Sequence, residues 1–226
     1  MGSDINCALF EYYMCLQSRR FVAENINMNK YLYPIIFVPV LFIISCTSQP
    51  DSVPKSTSKP RDIPEDIMGK GVIPAVDLSL FLLQNNKQAA PGNVRMLAQY
   101  YIEEAAYEGV NHDVAFAQMC LETGFLKYGG LVKPEWNNFC GLGSIGPEQP
   151  GLTFPDSRTG VRAHIQHLKA YATDEPLKKE LVDPRYRYVR LGSSPTIDGL
   201  SGTWASDKMY SQKIDAILQN LYEFFF

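Results

Sequence analysis

Residues 93–125 run NVRMLAQYYIEEAAYEGVNHDVAFAQMCLETGF, and the spacing of their apolar positions decides the fold class. Val94, Leu97, Ala98, Tyr101, Ile102 and Ala105 recur with the helical period, Pro91-Gly92 stands before them and Gly109 after, so the spacing predicts an amphipathic helix over Asn93 to Glu108. A second helix is predicted from Asn111 or Asp113, either of which can cap it. It carries Val114, Ala117, Gln118 and Leu121 along one stripe and stops at Gly124, a residue suited to the left-handed end of a helix.

Working downstream, residues 124–160 hold Gly124, Gly129, Gly130, Gly141, Gly143, Gly146, Gly151 and Gly160 with Pro134, Pro147, Pro150 and Pro155. Long helices are excluded there, and loops with a small hairpin are expected. Val161, Ile165, Leu168 and Ala172 mark a third helix, and Tyr210, Ile214, Ile217, Leu218 and Leu221 mark a C-terminal one. No internal repeat is present. The resulting class is α+β, mainly α: a helical domain with a small irregular or β lobe in its middle.

Upstream, Ile35 to Ile44 read IIFVPVLFII, an apolar run of ten broken by Pro39. A helix that short does not span a hydrocarbon core of roughly 30 Å, and the run reads as the apolar region of a signal peptide. Met28-Asn29-Lys30 supplies an initiator and a short basic region before it, which leaves residues 1–27 as a start-site artefact or a real extension. An uncleaved membrane anchor is the competing reading of the run. Residues 47–70 are rich in proline and serine with mixed charges, a composition that buries too little apolar surface to order itself. The expected division is therefore a presequence over 1–45, a cysteine and flexible tether over 46–71, and one folded domain over 72–226.

The whole chain has 226 residues, 46% hydrophobic and 20% charged, and a net charge of -3. Such a chain has enough apolar content to bury a core and no overall positive charge with which to hold a polyanion, so nucleic acid is not expected as a partner. Loss of residues 1–45 takes three basic and three acidic residues and leaves the balance at -3. Beyond Cys46 only Cys120 and Cys140 remain, which pair or stay as two buried thiols. Three histidines, His112, His164 and His167, carry no zinc-ligand spacing, so no catalytic metal or other cofactor is expected and packing or capping explains them more simply. Cys120, on the second helix, is expected to be inert through burial.

The chemistry concentrates at Glu122. It lies four residues after Gln118 on the inward stripe, in the last turn of its helix, where desolvation and the negative end of the helix dipole both raise a carboxyl pKa. A carboxyl held protonated near neutral pH is what a general acid needs. On spacing alone a structural glutamate that caps or pairs at a helix end is the better account.

Four stretches shift that balance. Ala117 to Phe125 (AQMCLETGF), Asn137 to Leu142 (NNFCGL), Phe154-Pro155-Asp156-Ser157 leading into Gly160 to His164, and Trp204 to Ile214 together resemble the glucosaminidase family of peptidoglycan hydrolases, glycoside hydrolase family 73. The resemblance covers Asn93 to Leu221, and Cys140 between Phe139 and Gly141 departs from the usual loop. It implies a lysozyme-like fold that cleaves the glycan strand of peptidoglycan after N-acetylglucosamine, with Glu122 as catalytic acid. It further implies that Tyr210 stands near Glu122 and stabilises the reacting sugar, that Asn138 and Phe139 line the groove, and that Trp204 stacks on a sugar or packs the last helix.

A second carboxylate is left open among Glu135, Glu148 and Asp156. Asp156 reads equally as the cap of the third helix, and a 2-acetamido group of the substrate is the alternative nucleophile. Separately, Ile43-Ile44-Ser45-Cys46 resembles the lipobox of bacterial lipoproteins, which implies a lipid on Cys46, anchorage to a membrane and a location in the cell envelope facing the periplasm. The expected partners are glycan strands and the membrane, with the protein a monomer. The alternatives are a non-catalytic peptidoglycan-binding or scaffolding lipoprotein and, further off, a peptidoglycan amidase.

Overall fold

The computed structural model describes residues 63–226. The expected signal run, the expected lipid site at Cys46 and most of the expected tether lie outside the described residues. Five α-helices follow in chain order: α1 (Ala75–Asn85), α2 (Pro91–Glu108), α3 (His112–Thr123), α4 (Ser157–Ala172) and α5 (Tyr210–Phe225). Short 3₁₀ turns at Pro134–Trp136, Tyr186–Tyr188 and Ile197–Leu200 punctuate the connections. The mainly helical class expected from the periodicity holds. Among the described residues no helix is long and apolar enough to cross a membrane.

α3 is the axle. Nearly all of its residues are buried, which is the behaviour of a helix enclosed on every side rather than laid on a surface. It packs on α5 and α2, while α2 packs on α4 and α1. Its start is fixed by Asn111, whose side chain accepts from the Asp113 amide at 3.0 Å, and its end by Gly124 at φ 57°. Asp156 caps α4 by accepting from the Thr159 amide at 2.8 Å.

The boundary at residue 72 needs correction. Ile67 is fully buried, its amide donates to Pro195 O at 3.0 Å and its carbonyl accepts from the Asn111 amide at 2.8 Å. Asp66 bridges Thr196 and Met68 bridges Val110. The Asp113 carboxylate then takes the amides of Val72 and Ile73 at 2.8 and 3.2 Å and the Tyr222 hydroxyl at 2.9 Å. The folded part therefore includes residues 63–71. Composition misplaces them because their order comes from grooves formed by distant segments.

The lobe between α3 and α4 is built from turns. Its expected hairpin reduces to the isolated bridge Gly146↔Gln149, with no named strand among the described residues. Cys140, Leu142, Phe154 and Ala163 form its own small core, with Leu152, Val182 and Trp204 against it. Where the lobe meets α4, the Asn137 carbonyl oxygen sits 1.8 Å from where a Cβ on Gly160 would stand, so only glycine admits that approach.

Candidate active site

α3 delivers Glu122 in its last turn, and the chain then reverses sharply. Gly124, Phe125 and Leu126 follow one another at φ 57°, 59° and 60°, a left-handed run that is unfavourable for the two residues bearing a Cβ. Thr123 braces it: its hydroxyl donates to Met119 O at 2.8 Å and accepts from the Leu126 amide at 2.9 Å. Asn86 on the far side donates to Phe125 O at 2.8 Å. The reversal brings the lobe over the end of α3 and leaves a cleft of about 360 Å³ between them.

Glu122 lines that cleft with Tyr128, Val132, Cys140, Gly141, Ser144 and Trp204, among others. It is the one carboxylate among the described residues lining it. Burial pushes its pKa above the ordinary carboxyl value, and hydrogen bonds from Tyr210 and Trp204 partly offset that rise. Both donors reach the same oxygen. The Trp204 indole N–H lies 2.9 Å from Glu122 Oε1, and the Tyr210 hydroxyl also donates to Oε1. The other oxygen, Oε2, faces Gly141.

The sequence-derived site residues are brought together only in part. Tyr210 reaches Glu122 from the first turn of α5, but it is buried and is not among the residues lining the cleft. Its oxygen also accepts from Gln118 Nε2 at 2.9 Å. Its direct contact is with the acid itself. Trp204 lines the cleft and packs against His164, His167 and Tyr171, with ring centroids 5.8, 5.1 and 5.4 Å away, while its N–H holds Glu122.

Asn138 lines the cleft, yet its amide is spent inside the lobe. Nδ2 donates to Leu142 O and Leu152 O at 2.9 Å each, and Oδ1 accepts from the amides of Leu142 and Cys140 at 3.0 and 3.5 Å. Phe139 is buried in the main core. Asn138 thus holds the shape of the loop at the cleft wall, and Phe139 holds it from the core. Glu148, Glu135 and Asp156 are exposed and none lines the cleft; Asp156 serves as the α4 cap.

Cys120 and Cys140 are free thiols, both buried, and burial raises both pKa values. His112 bonds Ile73 O at 3.0 Å, and His167 pairs with Asp183 at 2.7 Å. Among the described residues no group of three or more His, Cys, Asp or Glu stands together as a metal set. The residues that spacing did not single out as functional are Tyr101, Gln118 and His164, which lie behind Glu122. The signal was available for Gln118: a polar side chain on the buried stripe of α3 needs a partner.

The placement of Tyr210 carries an expected result. Tyr210→Phe removes one of two donors to Glu122 Oε1, so the Glu122 pKa rises further and the alkaline limb of a pH–activity profile moves to higher pH. Because the side chain stands behind the acid, KM stays within about two-fold while kcat falls. A limb that moves to lower pH contradicts this.

Comparison with known proteins places this geometry in context. The sequence model of a family described as mannosyl-glycoprotein endo-beta-N-acetylglucosaminidase matches residues 98–223. An uncharacterized protein of Borreliella burgdorferi (strain ATCC 35210 / DSM 4680 / CIP 102532 / B31) is 42% identical over 158 residues, which cover 70% of this chain and 78% of the relative. Two solved structures of S. aureus autolysin E are also similar at 14% identity, over 70% of this chain and 71% of theirs, with TM-scores of 0.44 and 0.45. One is a complex with the muropeptide NAM-L-Ala-D-iGlu, the other a catalytic mutant in complex with the disaccharide NAG-NAM.

Proposed function

This chain belongs to the glucosaminidase family, and we propose that it hydrolyses the β-1,4 glycosidic bond after N-acetylglucosamine in peptidoglycan, with Glu122 as general acid. The observation that carries the reading is a single carboxyl on the cleft wall, its pKa raised by burial, with one oxygen held by two donors and the other facing Gly141, which also lines the cleft. A protonated Glu122 Oε2 donates to the glycosidic oxygen as the C1–O bond breaks, and the leaving sugar departs as the alcohol.

The other carboxylates first considered, Glu135, Glu148 and Asp156, stand away from the cleft lining. That favours participation of the substrate over a protein nucleophile. The carbonyl oxygen of the 2-acetamido group closes on C1 as the bond to the leaving oxygen opens, forming a cyclic oxazolinium ion. Water then adds at C1 with Glu122, now a carboxylate, taking its proton, and the acetamido group is restored. This route requires only one titrating side chain.

Digestion of purified peptidoglycan, with mass spectrometry of the new reducing ends, tests the reading. N-acetylglucosamine at those ends is the expected result. N-acetylmuramic acid there, a cleaved amide, or intact glycan with bound protein overturns it, the last in favour of a scaffolding role.

The reading places the protein outside the cytoplasm, where its substrate lies, and we further propose that Cys46 carries a lipid that anchors the domain facing the periplasm. Cys46→Ser is then expected to move the protein from the membrane to the soluble fraction, since a single apolar run with a central proline is a poor anchor. A variant that stays in the membrane fraction with Ile35 to Ile44 uncleaved contradicts the lipid.

A further inference from the structure

Behind Glu122 a line of buried polar side chains crosses the domain from α2 to the cleft. It starts at Tyr101, fully buried on α2, whose ring packs edge-on against Phe116 at 5.6 Å. Among the described residues its hydroxyl has one hydrogen-bond partner, His164 Nδ1 on α4, at 2.8 Å. His164 Nε2 lies 2.9 Å from Gln118 Oε1, Gln118 Nε2 lies 2.9 Å from the Tyr210 oxygen, and Tyr210 meets Glu122 Oε1.

The line runs one way. A buried hydroxyl needs an acceptor for its proton, and Nδ1 of His164 is the acceptor within reach of Tyr101. His164 is fully buried, and desolvation pushes its pKa down to about 3, so the ring is neutral and has one N–H. With Nδ1 accepting, that N–H sits on Nε2 and donates to Gln118 Oε1. The Gln118 amide is then turned with its NH₂ toward Tyr210, whose oxygen accepts from it and whose hydroxyl donates to Glu122 Oε1. Trp204, a donor only, reaches the same oxygen.

We propose that Tyr101 and His164 are positioning residues that direct this line of donors so that the acidic proton of Glu122 stays on Oε2, the oxygen facing the glycan. The proposal rests on the reading of Glu122 as general acid. With the opposite His164 tautomer the amide turns over, Tyr210 gives its proton to Gln118, and the Glu122 proton is drawn onto Oε1 toward Tyr210, away from the substrate.

The titratable groups facing Glu122 are Tyr210 from α5, Tyr128 and Cys140 from the lobe, and His164 and Tyr101 behind it; Asp183 acts on Cys140. Burial raises the pKa values of the tyrosines and of Cys140 and lowers that of His164. These five groups therefore stay uncharged through the pH range in which Glu122 titrates.

The test uses the full-length protein. Nitrogen-15 NMR of the imidazoles is expected to show the Nε2–H tautomer for His164 in the wild type and a mixture in Tyr101→Phe, which retains the ring. In steady-state kinetics on a defined glycan, Tyr101→Phe should lower kcat about 3- to 10-fold with KM unchanged. Gln118→Glu, which gives Tyr210 a competing acceptor, should lower kcat about 100-fold and move the alkaline limb of the profile upward.

An Nδ1–H tautomer in wild-type His164, or wild-type kcat in both variants, overturns the proposal. The wild-type tautomer remains decisive even when a variant does not fold. Glu122→Gln run in parallel separates the two readings: activity in that variant sinks the general acid itself, whereas an inactive Glu122→Gln beside unaffected Tyr101→Phe and Gln118→Glu sinks only the directed line.

Discussion

Glu122→Gln is expected to fold as the wild type does and to release no reducing ends from peptidoglycan. The amide keeps an oxygen where Trp204 and Tyr210 donate and places its NH₂ where Oε2 faces Gly141, so the hydrogen bonds behind the acid survive. Its midpoint of thermal unfolding should stay within about 4 °C of wild type. What it lacks is a proton it can give. General acid catalysis is worth on the order of 10²–10⁴-fold, which is about 3 to 5 kcal/mol of barrier.

The pH dependence has a definite sign. Burial raises the Glu122 pKa, so the acid form persists to higher pH than an exposed glutamate allows, and activity is lost as pH rises through that raised value. Glu122→Gln abolishes that limb together with the activity. Cleavage above a tenth of the wild-type rate, with an unchanged fold, removes Glu122 from the mechanism.

The helices around the site were legible because each obeys a local rule. Asn111 and Gly124 bracket α3, and the 3.6-residue period marks α2, α4 and α5. α1 escaped, although Leu78, Phe81 and Leu82 repeat at helical spacing after Pro74. The segment from 63 to 71 escaped for a different reason: the buried Ile67 bonds through its backbone to Pro195 and Asn111, neither near it in sequence, and no local pattern announces such partners. The site divides in the same way. Glu122 at the inward end of a helix was readable, and the family resemblance supplied the closeness of Tyr210. The hydrogen bonds that give each residue its task span 82 residues from Trp204 to Glu122 and 46 from His164 to Gln118, so they exist only once the helices have packed. Asn138 shows the limit most clearly. Its sequence context suggests a groove residue, and only the folded lobe reveals that its whole amide is committed to the backbone.

The largest expected stability loss lies away from the cleft, at Lys169. This residue of α4 is fully buried and its Nζ sits 2.9 Å from Glu108 Oε2 and 2.9 Å from Pro176 O. Glu108 also accepts from the amides of Lys178 and Lys179 at 2.9 and 3.0 Å, so the pair fastens the loop after α4 back onto α2. That loop continues to Asp183, which holds His167, and His167 packs edge-on against Trp204. Lys169→Met preserves the aliphatic length and strands a buried carboxylate. Removing one partner of a buried pair is typically worth about 3–5 kcal/mol, because the remaining charge has been taken out of water and left uncompensated. A domain of this size should then lose about 10 °C or more in Tm. Lys169→Met combined with Glu108→Gln should recover part of the loss, since the neutral amide leaves no buried charge; the recovery is partial because the Lys178 and Lys179 amides bond different carboxylate oxygens and the one amide oxygen keeps only one of them. Calorimetry of the two single variants and the double variant measures the coupling directly. A single variant Lys169→Met within about 1 kcal/mol of wild type, or a double variant less stable than the sum of both singles, contradicts the assignment of this buried pair as the fastening of the loop.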